Sequence, residues 1–257
     1  MQPEIFEEIR QAESTNWWFV GRRQLILDFY VRFEEARRGR HRRPKLLDMG
    51  CGTGAVLESL SSHAQVFGAD ISDIALRLCV NRGQRRVACA NGTHLSFANG
   101  AFDYIVSLDV VEHIENDLAV MRELHRVCRE GGVVLITIPA CEWLRTTRDD
   151  RLMHKRRYHR AQFVALARAA GFEVTKCSYY CAFFFPAIAA VVLFNRLLGR
   201  KPDIKQDVVQ PAGWINALLR ELLFLEQRLL RTVNLPFGVS LFCVLHKSPL
   251  TRPASRD

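Results

Sequence analysis

The segment Leu46-Leu47-Asp48-Met49-Gly50-Cys51-Gly52-Thr53-Gly54 sets glycines at alternate positions directly after an apolar run. Glycine tolerates positive φ and carries no Cβ, so a ligand can lie against such a backbone. Residues from Ala55 onward read as a helix, whose first turn adds unbonded N–H groups. Asp70 ends the next apolar run. A carboxylate there can accept hydrogen bonds from both ribose hydroxyls of an adenosine. Gly50-x-Gly52-x-x-Ala55 also satisfies the relaxed dinucleotide fingerprint. From this loop alone the identity of the adenosine cofactor stays open, as does a reading in which the glycines serve only a tight turn.

Such a loop needs a buried strand before it and a helix after it. The apolar runs Lys45–Met49, Gln65–Asp70, Arg86–Ala90, Asp103–Asp109 and Val133–Ile138 read as strands. Helical stretches at 55–63, 73–82 and 116–129 separate them. Strands alternating with helices predict a parallel sheet covered on both faces, with right-handed crossovers, which is an α/β doubly wound fold. Before it, 3–13 and 21–38 read as helices joined by Trp17-Trp18-Phe19. After it come a helix at 160–170, a strand at Phe172–Cys181 and a last strand at Gly238–His246. The stretch between those strands is too long and too apolar for a loop, and reads as a helical insertion.

Of the 257 residues, 49% are hydrophobic and 25% charged, an ordinary globular balance that can bury a core. With Lys+Arg at 36 and Asp+Glu at 27 the formal charge is +9, and much of the excess sits in Arg37–Lys45. That run reads either as a solvated linker or as a patch for RNA or phospholipid. The eight cysteines form no CxxC pair and fall mostly in apolar stretches, which predicts buried free thiols and a cytoplasmic protein. The acidic segment Met1–Glu8 has no apolar stretch of the secretory kind.

Asp48–Gly54 resembles the first motif of class I S-adenosylmethionine-dependent methyltransferases. Asn91-Gly92-Thr93-His94-Leu95-Ser96-Phe97 with Ala101–Val106 resembles that family's adenine loop and fourth strand. Ser107–Ile114 and Glu130–Pro139 resemble its next motif and fifth strand. Trp17-Trp18-Phe19-x-Gly21-Arg22-Arg23 and Leu235–Leu241 resemble its bacterial type 11/12 group. The resemblance implies a seven-stranded Rossmann-like sheet with the last strand antiparallel, and S-adenosyl-L-methionine as cofactor. It assigns cofactor binding to Asp48, Gly50, Cys51, Gly52, Thr53, Gly54, Asp70, Ile71, Asn91, Gly92, Thr93, Leu108 and Asp109. Asn91 stands where the family usually has Asp, and its amide oxygen is expected to accept from the adenine amino group.

His113 is the candidate catalytic base or acceptor-orienting group; it also reads as a histidine that only packs near the cofactor. Trp18, Phe19, Arg22, His154, Arg157 and Tyr158 are the candidate acceptor contacts, with Arg157 or His154 holding an anionic group and Tyr158 covering it. Asp109-x-x-Glu112-His113 resembles a metal triplet of some quinone and RNA methyltransferases, but no metal is expected here.

The expected organisation is a helical cap and basic linker at 1–43 and a cofactor-binding core at 44–182. An apolar helical insertion at 183–235, a closing strand at 236–248 and a disordered tail at 249–257 complete it. Ser178–Asn195 holds no charged residue, yet Pro186 interrupts it, arguing against a membrane span. Residues 214–232 set Trp214, Leu218, Leu222, Leu225 and Leu229 on one helical face, with Arg196, Arg200 and Lys201 nearby. These features point to a small-molecule or lipid-like acceptor, such as a quinone or isoprenoid, and to a peripheral membrane contact. Nucleic acid is not expected as a partner; an RNA or protein methyltransferase and a non-catalytic partner protein are the alternatives.

Overall fold

The computed structural model describes residues 3–37, 42–200 and 211–248. Lys201, part of the basic run and the tail 249–257 lie outside the described residues. Helices α1 (Pro3–Ala12) and α2 (Trp17–Ala36) come first. Trp17-Trp18-Phe19 is the first turn of α2 and not the joint before it, because the Asn16 side chain caps the helix by accepting from Trp18 N at 3.0 Å.

Then follow β1 (Lys45–Met49), α3 (Ala55–Leu60), β2 (Gln65–Asp70), α4 (Asp73–Asn81), β3 (Val87–Cys89) and β4 (Phe102–Leu108). After a short turn at Val111–His113 come α5 (Asp117–Val127), β5 (Cys128–Pro139), α6 (Thr147–Arg151), α7 (Arg160–Ala169) and β6 (Glu173–Tyr180). The chain continues through α8 (Phe185–Leu197), α9 (Gly213–Leu230) and β7 (Ser240–His246).

The seven strands form one sheet in the order β3-β2-β1-β4-β5-β7-β6. All neighbours are parallel except β7, which runs antiparallel to both β5 and β6. The alternation of the apolar runs explains the two-sided burial. Leu47, Ile105, Val134, Ile136, Leu241 and Cys243 face the layer that includes α5 and α7. Leu46, Tyr104, Val106, Leu135, Phe242 and Val244 face the layer that includes α2, α3 and α9. Chain order reverses between β1 and β4, so loops diverge at their carboxyl ends and leave a crevice there.

The apolar stretch from Ser178 to Asn195 is divided between β6 and α8, with Pro186 in the first turn of the helix. Among the described residues no helix is long and apolar enough to cross a membrane. Helix α9 lies on α2: a Cβ at Gly21 would meet Leu223 Cδ2 at 2.2 Å, and Gln227 Nε2 donates to Gly21 O at 2.8 Å. Asn216 ties its start to the α1–α2 joint, accepting from Trp17 N and donating to Thr15 O, each at 2.8 Å. Late and early helices thereby pack as one layer, and from it Trp17, Trp18, Phe19 and Arg22 of α2 reach the crevice. All eight cysteines are free, and all but Cys89 are buried.

Candidate functional site

A cavity of about 720 Å³ opens at the carboxyl ends of β1, β2, β3 and β4. Gly50 and Gly52 form its floor at φ +80° and +51°. Gly50 N donates to Ala69 O at 2.7 Å, pinning the turn to the end of β2. At Gly50 a side chain would strike Val110 at 2.3 Å, whereas a Cβ at Gly52 would meet nothing within 4 Å. The space above Gly52 is the cradle that a bound group would fill.

Asp70 is locked beside it. Its Oδ2 accepts from Gly52 N and its Oδ1 from Ser72 N, both at 2.9 Å. Each oxygen keeps acceptor capacity for a further donor. Ile71, 70% exposed, presents an apolar side chain next to it. Below the turn Asp48 is 2% exposed, and burial pushes its carboxyl up to about 7, with Arg22 opposing the shift.

Of the residues the sequence assigned to cofactor or acceptor, Asp48, Gly50, Cys51, Gly52, Thr53, Asp70, Ile71, Asn91, Gly92, Leu108, Asp109, His113, Trp18, Phe19, Arg22, His154 and Arg157 all line this cavity. Gly54, Thr93 and Tyr158 do not. Gly54 is the N-cap of α3 at φ 85°, packed against Cys79. Thr93 donates through N and Oγ1 to Asn91 Oδ1, both at 3.1 Å. The Asn91 amide oxygen expected to face adenine is thus already taken by its own loop. Tyr158 is fully buried and donates to Asp117 Oδ2 at 2.9 Å, so it does not cover a ligand.

The acceptor-side residues differ from expectation in a second way. Arg157 donates to both oxygens of Asp149, at 2.8 and 3.1 Å, and to Ala140 O at 3.0 Å. His154 Nδ1 lies 2.9 Å from Asp149 Oδ1. The groups expected to hold an anion are therefore holding a carboxylate of the chain itself. Burial would raise the Asp149 carboxyl, but hydrogen bonds from His154 and Arg157 hold it well below the usual carboxylate range.

Arg22 pairs with Asp109, and Thr137 Oγ1 donates to the other Asp109 oxygen at 3.1 Å. The guanidinium also sits 6.0 Å from the Trp18 ring centroid and 5.7 Å from that of Phe19. Asp109, directly after β4, adopts φ +55°, an uncommon conformation for a non-glycine residue. Burial and the neighbouring His154 push His113 down to about 4, so its imidazole is neutral near pH 7. The two rings meet edge to face at 4.7 Å.

Sequence reasoning missed the contribution of α1. Glu13, 8% exposed, accepts from Thr53 Oγ1 at 2.6 Å and from Arg82 Nη2 at 2.7 Å, latching α1 to the glycine turn. Phe6 and Ile9 of the same helix also line the cavity. The spacing of Ile5, Phe6 and Ile9 was a helical signal, but nothing local told which surface it would cover.

Residues 47–136 match the family model described as a methyltransferase domain. A Mycolicibacterium smegmatis protein named "Probable S-adenosylmethionine-dependent methyltransferase" is 29% identical over 163 residues, 62% of this chain and 60% of that protein. An Arabidopsis thaliana tRNA (carboxymethyluridine(34)-5-O)-methyltransferase is 34% identical over 100 residues, 38% of this chain and 24% of the relative. The chain thus spans less than two thirds of the length of either. Among solved structures, a chain from the complex of the Haloferax volcanii Trm112 methyltransferase activator has a TM-score of 0.61 at 16% identity, covering 97% of both chains. Haemonchus contortus phosphoethanolamine N-methyltransferase 2, solved with S-adenosyl-L-methionine, has a TM-score of 0.54 at 18% identity, covering 82% of this chain and 50% of that one. At these identities the structures speak for the fold. With the family match over the glycine turn, β2, β3, β4 and most of β5, residues 47–136 carry a methyltransferase domain, and the relatives and the fold support the class I S-adenosylmethionine-dependent kind.

Proposed function

We propose that the protein transfers a methyl group from S-adenosylmethionine to a small-molecule or lipid-like acceptor held in the apolar-walled half of the cavity. The observation that carries this reading is the Asp70 carboxylate, fixed 2.9 Å from Gly52 N beside a glycine turn with room for a ligand against its backbone. When bound, S-adenosylmethionine supplies a methyl carbon on a positively charged sulfur, ready for in-line displacement. What the chain must do is align, hold and exclude water.

In this reading Asp70 takes the ribose hydroxyls, and Gly50, Cys51 and Gly52 offer backbone. Ile71 and Gly92 bracket adenine, with Asn91 contributing its amide N–H₂ because Thr93 occupies its oxygen. Leu108 and the Arg22–Asp109 pair face the methionine end. His113, neutral near pH 7, is the group able to accept an acceptor's proton. Trp17, Trp18, Phe184 and Ile188 give the acceptor end apolar walls from α2, the β6–α8 joint and α8. The exposed apolar residues Val191, Phe194 and Leu197 of α8, with Arg196 among them, suit peripheral contact with an anionic bilayer.

Calorimetry with S-adenosylhomocysteine tests the cofactor half. Wild type should bind in the micromolar range, and Asp70→Ala should lose about 1.5–3 kcal/mol, as expected for hydrogen bonds to a charged group. Unchanged affinity in the variant would remove the basis of the reading. Labelled cofactor incubated with cell extract tests the acceptor half, with label expected in the lipid or small-molecule fraction. A second reading, RNA methylation, draws on the Arabidopsis relative and the +9 charge. Label in RNA, with binding that weakens steeply as salt rises, would favour it.

A further inference from the structure

Glu112 sits in the turn after β4, fully buried, and among the described residues neither of its carboxylate oxygens has a hydrogen-bond partner. Leaving such a group without a partner is costly, and proteins resolve the cost with a proton, a paired cation or a metal. Two imidazoles stand beside it. His113 follows in the same turn, and His154 arrives from the loop after α6 with Nε2 3.9 Å from Glu112 Oε1. One ligand atom from each of Glu112, His113 and His154 lies within 4.8 Å of the others.

Both rings are packed in place, and His154 is held from behind. His154 Nδ1 is tied to Asp149 Oδ1 at 2.9 Å, and the His113 ring lies beside the Met153 backbone and edge to face with His154 at 4.7 Å. A carboxylate or backbone oxygen behind an imidazole fixes its tautomer and presents the lone pair at the other nitrogen, the usual support of a metal-binding histidine. The orphaned carboxylate and the back-held His154 are independent observations that point to the same space.

We propose that Glu112, His113 and His154 form a divalent transition-metal site at the acceptor end of the cavity. Two imidazoles and one carboxylate suit zinc, iron(II), cobalt(II) or manganese(II) better than the all-oxygen surroundings preferred by calcium and magnesium. The site revises the expectation of no metal, and it uses a different third ligand from the sequence triplet. Asp109 is engaged by Arg22 and Thr137, and His154 takes its place. Movement of each donor by under about an ångström would bring all three to ordinary bonding distances of about 2.0–2.2 Å. Nearby, Glu112, Asp109 and Asp149 face the guanidiniums of Arg22 and Arg157, so the surroundings do not repel a cation.

Three protein ligands leave a coordination position open, and His113 and His154 both line the cavity. Resting on the methyl-acceptor reading above, that position would take an oxygen of the acceptor, and with the metal bound the cation, in place of His113 as base, would favour loss of the acceptor's proton, which makes hydroxyl- or enol-bearing compounds the favoured class.

The test is titration of the chelator-stripped full chain with Co²⁺, read by ligand-field absorption and calorimetry, followed by displacement with Zn²⁺. Wild type should bind one equivalent. Glu112→Gln and His154→Gln should each weaken binding at least tenfold, while His63→Gln, on the far side of the sheet, should not. Melting of the metal-free variants separates a lost site from a lost fold, and if either variant does not fold, His113→Gln replaces it. Asp70→Ala should keep the metal while losing S-adenosylhomocysteine, so failure here is distinguishable from failure of the cofactor assignment. No stoichiometric uptake by wild type, or equal uptake by the ligand variants, overturns the proposal.

Discussion

Around one cavity, the edge made by Gly50, Gly52 and Asp70 is mostly backbone, supported by contacts between neighbouring strand ends. The facing edge, made by His113, His154 and Arg157, is side chain, assembled from the turn after β4 and the loop after α6, with the buried carboxylate of Asp149 holding His154 and Arg157. A backbone edge tolerates change in surrounding side chains and keeps its shape, which suits a ligand common to a whole family. A side-chain edge can be rebuilt one residue at a time, which suits an acceptor that differs between members. The difference also locates the fragility: removing one group should hurt the second edge more than the first.

The largest effect is expected at Asp149, which is 1% exposed and receives hydrogen bonds from Arg157, His154 and Thr146 N. Asp149→Ala leaves the Arg157 guanidinium buried with only the Ala140 carbonyl. Breaking a buried pair from one side typically costs about 3–5 kcal/mol. Urea unfolding should show that loss, while S-adenosylhomocysteine affinity stays within about threefold. A midpoint equal to wild type would mean the acceptor edge is no more fragile than the other.

Next in size, two alanines separate shape from ligand on the cofactor edge. Gly50→Ala forces positive φ on a residue with a Cβ and drives it into Val110 at 2.3 Å. It should cost about 2–3 kcal/mol of stability from strain and overpacking together. Gly52→Ala meets open space, so its stability cost should be only the ~1 kcal/mol of left-handed backbone. Its methyl projects into the cradle, however, and S-adenosylhomocysteine affinity should fall at least tenfold. If Gly52→Ala binds like wild type, the cradle is not where the ligand lies.

The same contrast governs what the sequence reveals. Leu46–Met49, Gln65–Asp70 and the β4 run are buried on both faces, so unbroken apolar runs marked them directly as strands, and the glycine turn was legible because backbone geometry demands a residue type. Strand β7 and its antiparallel pairing came from family resemblance as much as from alternation. A loop tyrosine beside basic residues reads as exposed, and only the distant Asp117 explains why the Tyr158 hydroxyl can be buried. The Glu13–Thr53 latch and the Asp149 network left no periodic trace, since each joins residues far apart in the chain through side chains alone. An aromatic triplet is a weak helix signal, so the sequence reads α2 from 21, whereas the Asn16 cap starts it at Trp17.

The smallest effect tests whether the cofactor edge is as independent of side-chain charge as its backbone suggests. Asp48 lies beneath the glycine turn at 2% exposure, with its carboxyl pushed up to about 7 by burial and by Asp70 and Glu13 nearby. Between about 4, where the unfolded carboxyl titrates, and about 7, the folded protein holds a proton that the unfolded chain has released. The stability from this group is therefore fully present at low pH and lost as pH rises through about 7. A cationic ligand settling beside Asp48 favours the ionised form. Below pH 7, S-adenosylmethionine binding should then release a proton, and its affinity should rise with pH by at most about tenfold per unit before flattening. S-adenosylhomocysteine lacks the sulfonium charge and should show a shallower slope. Calorimetry at pH 6 in two buffers of different ionisation enthalpy reads the proton directly. Wild type should give buffer-dependent heats and Asp48→Asn should not, because the amide removes the titration while keeping the shape. Equal heats in both buffers for wild type would mean the turn and Asp70 act alone, leaving charge control to the side of the cavity that carries the histidines.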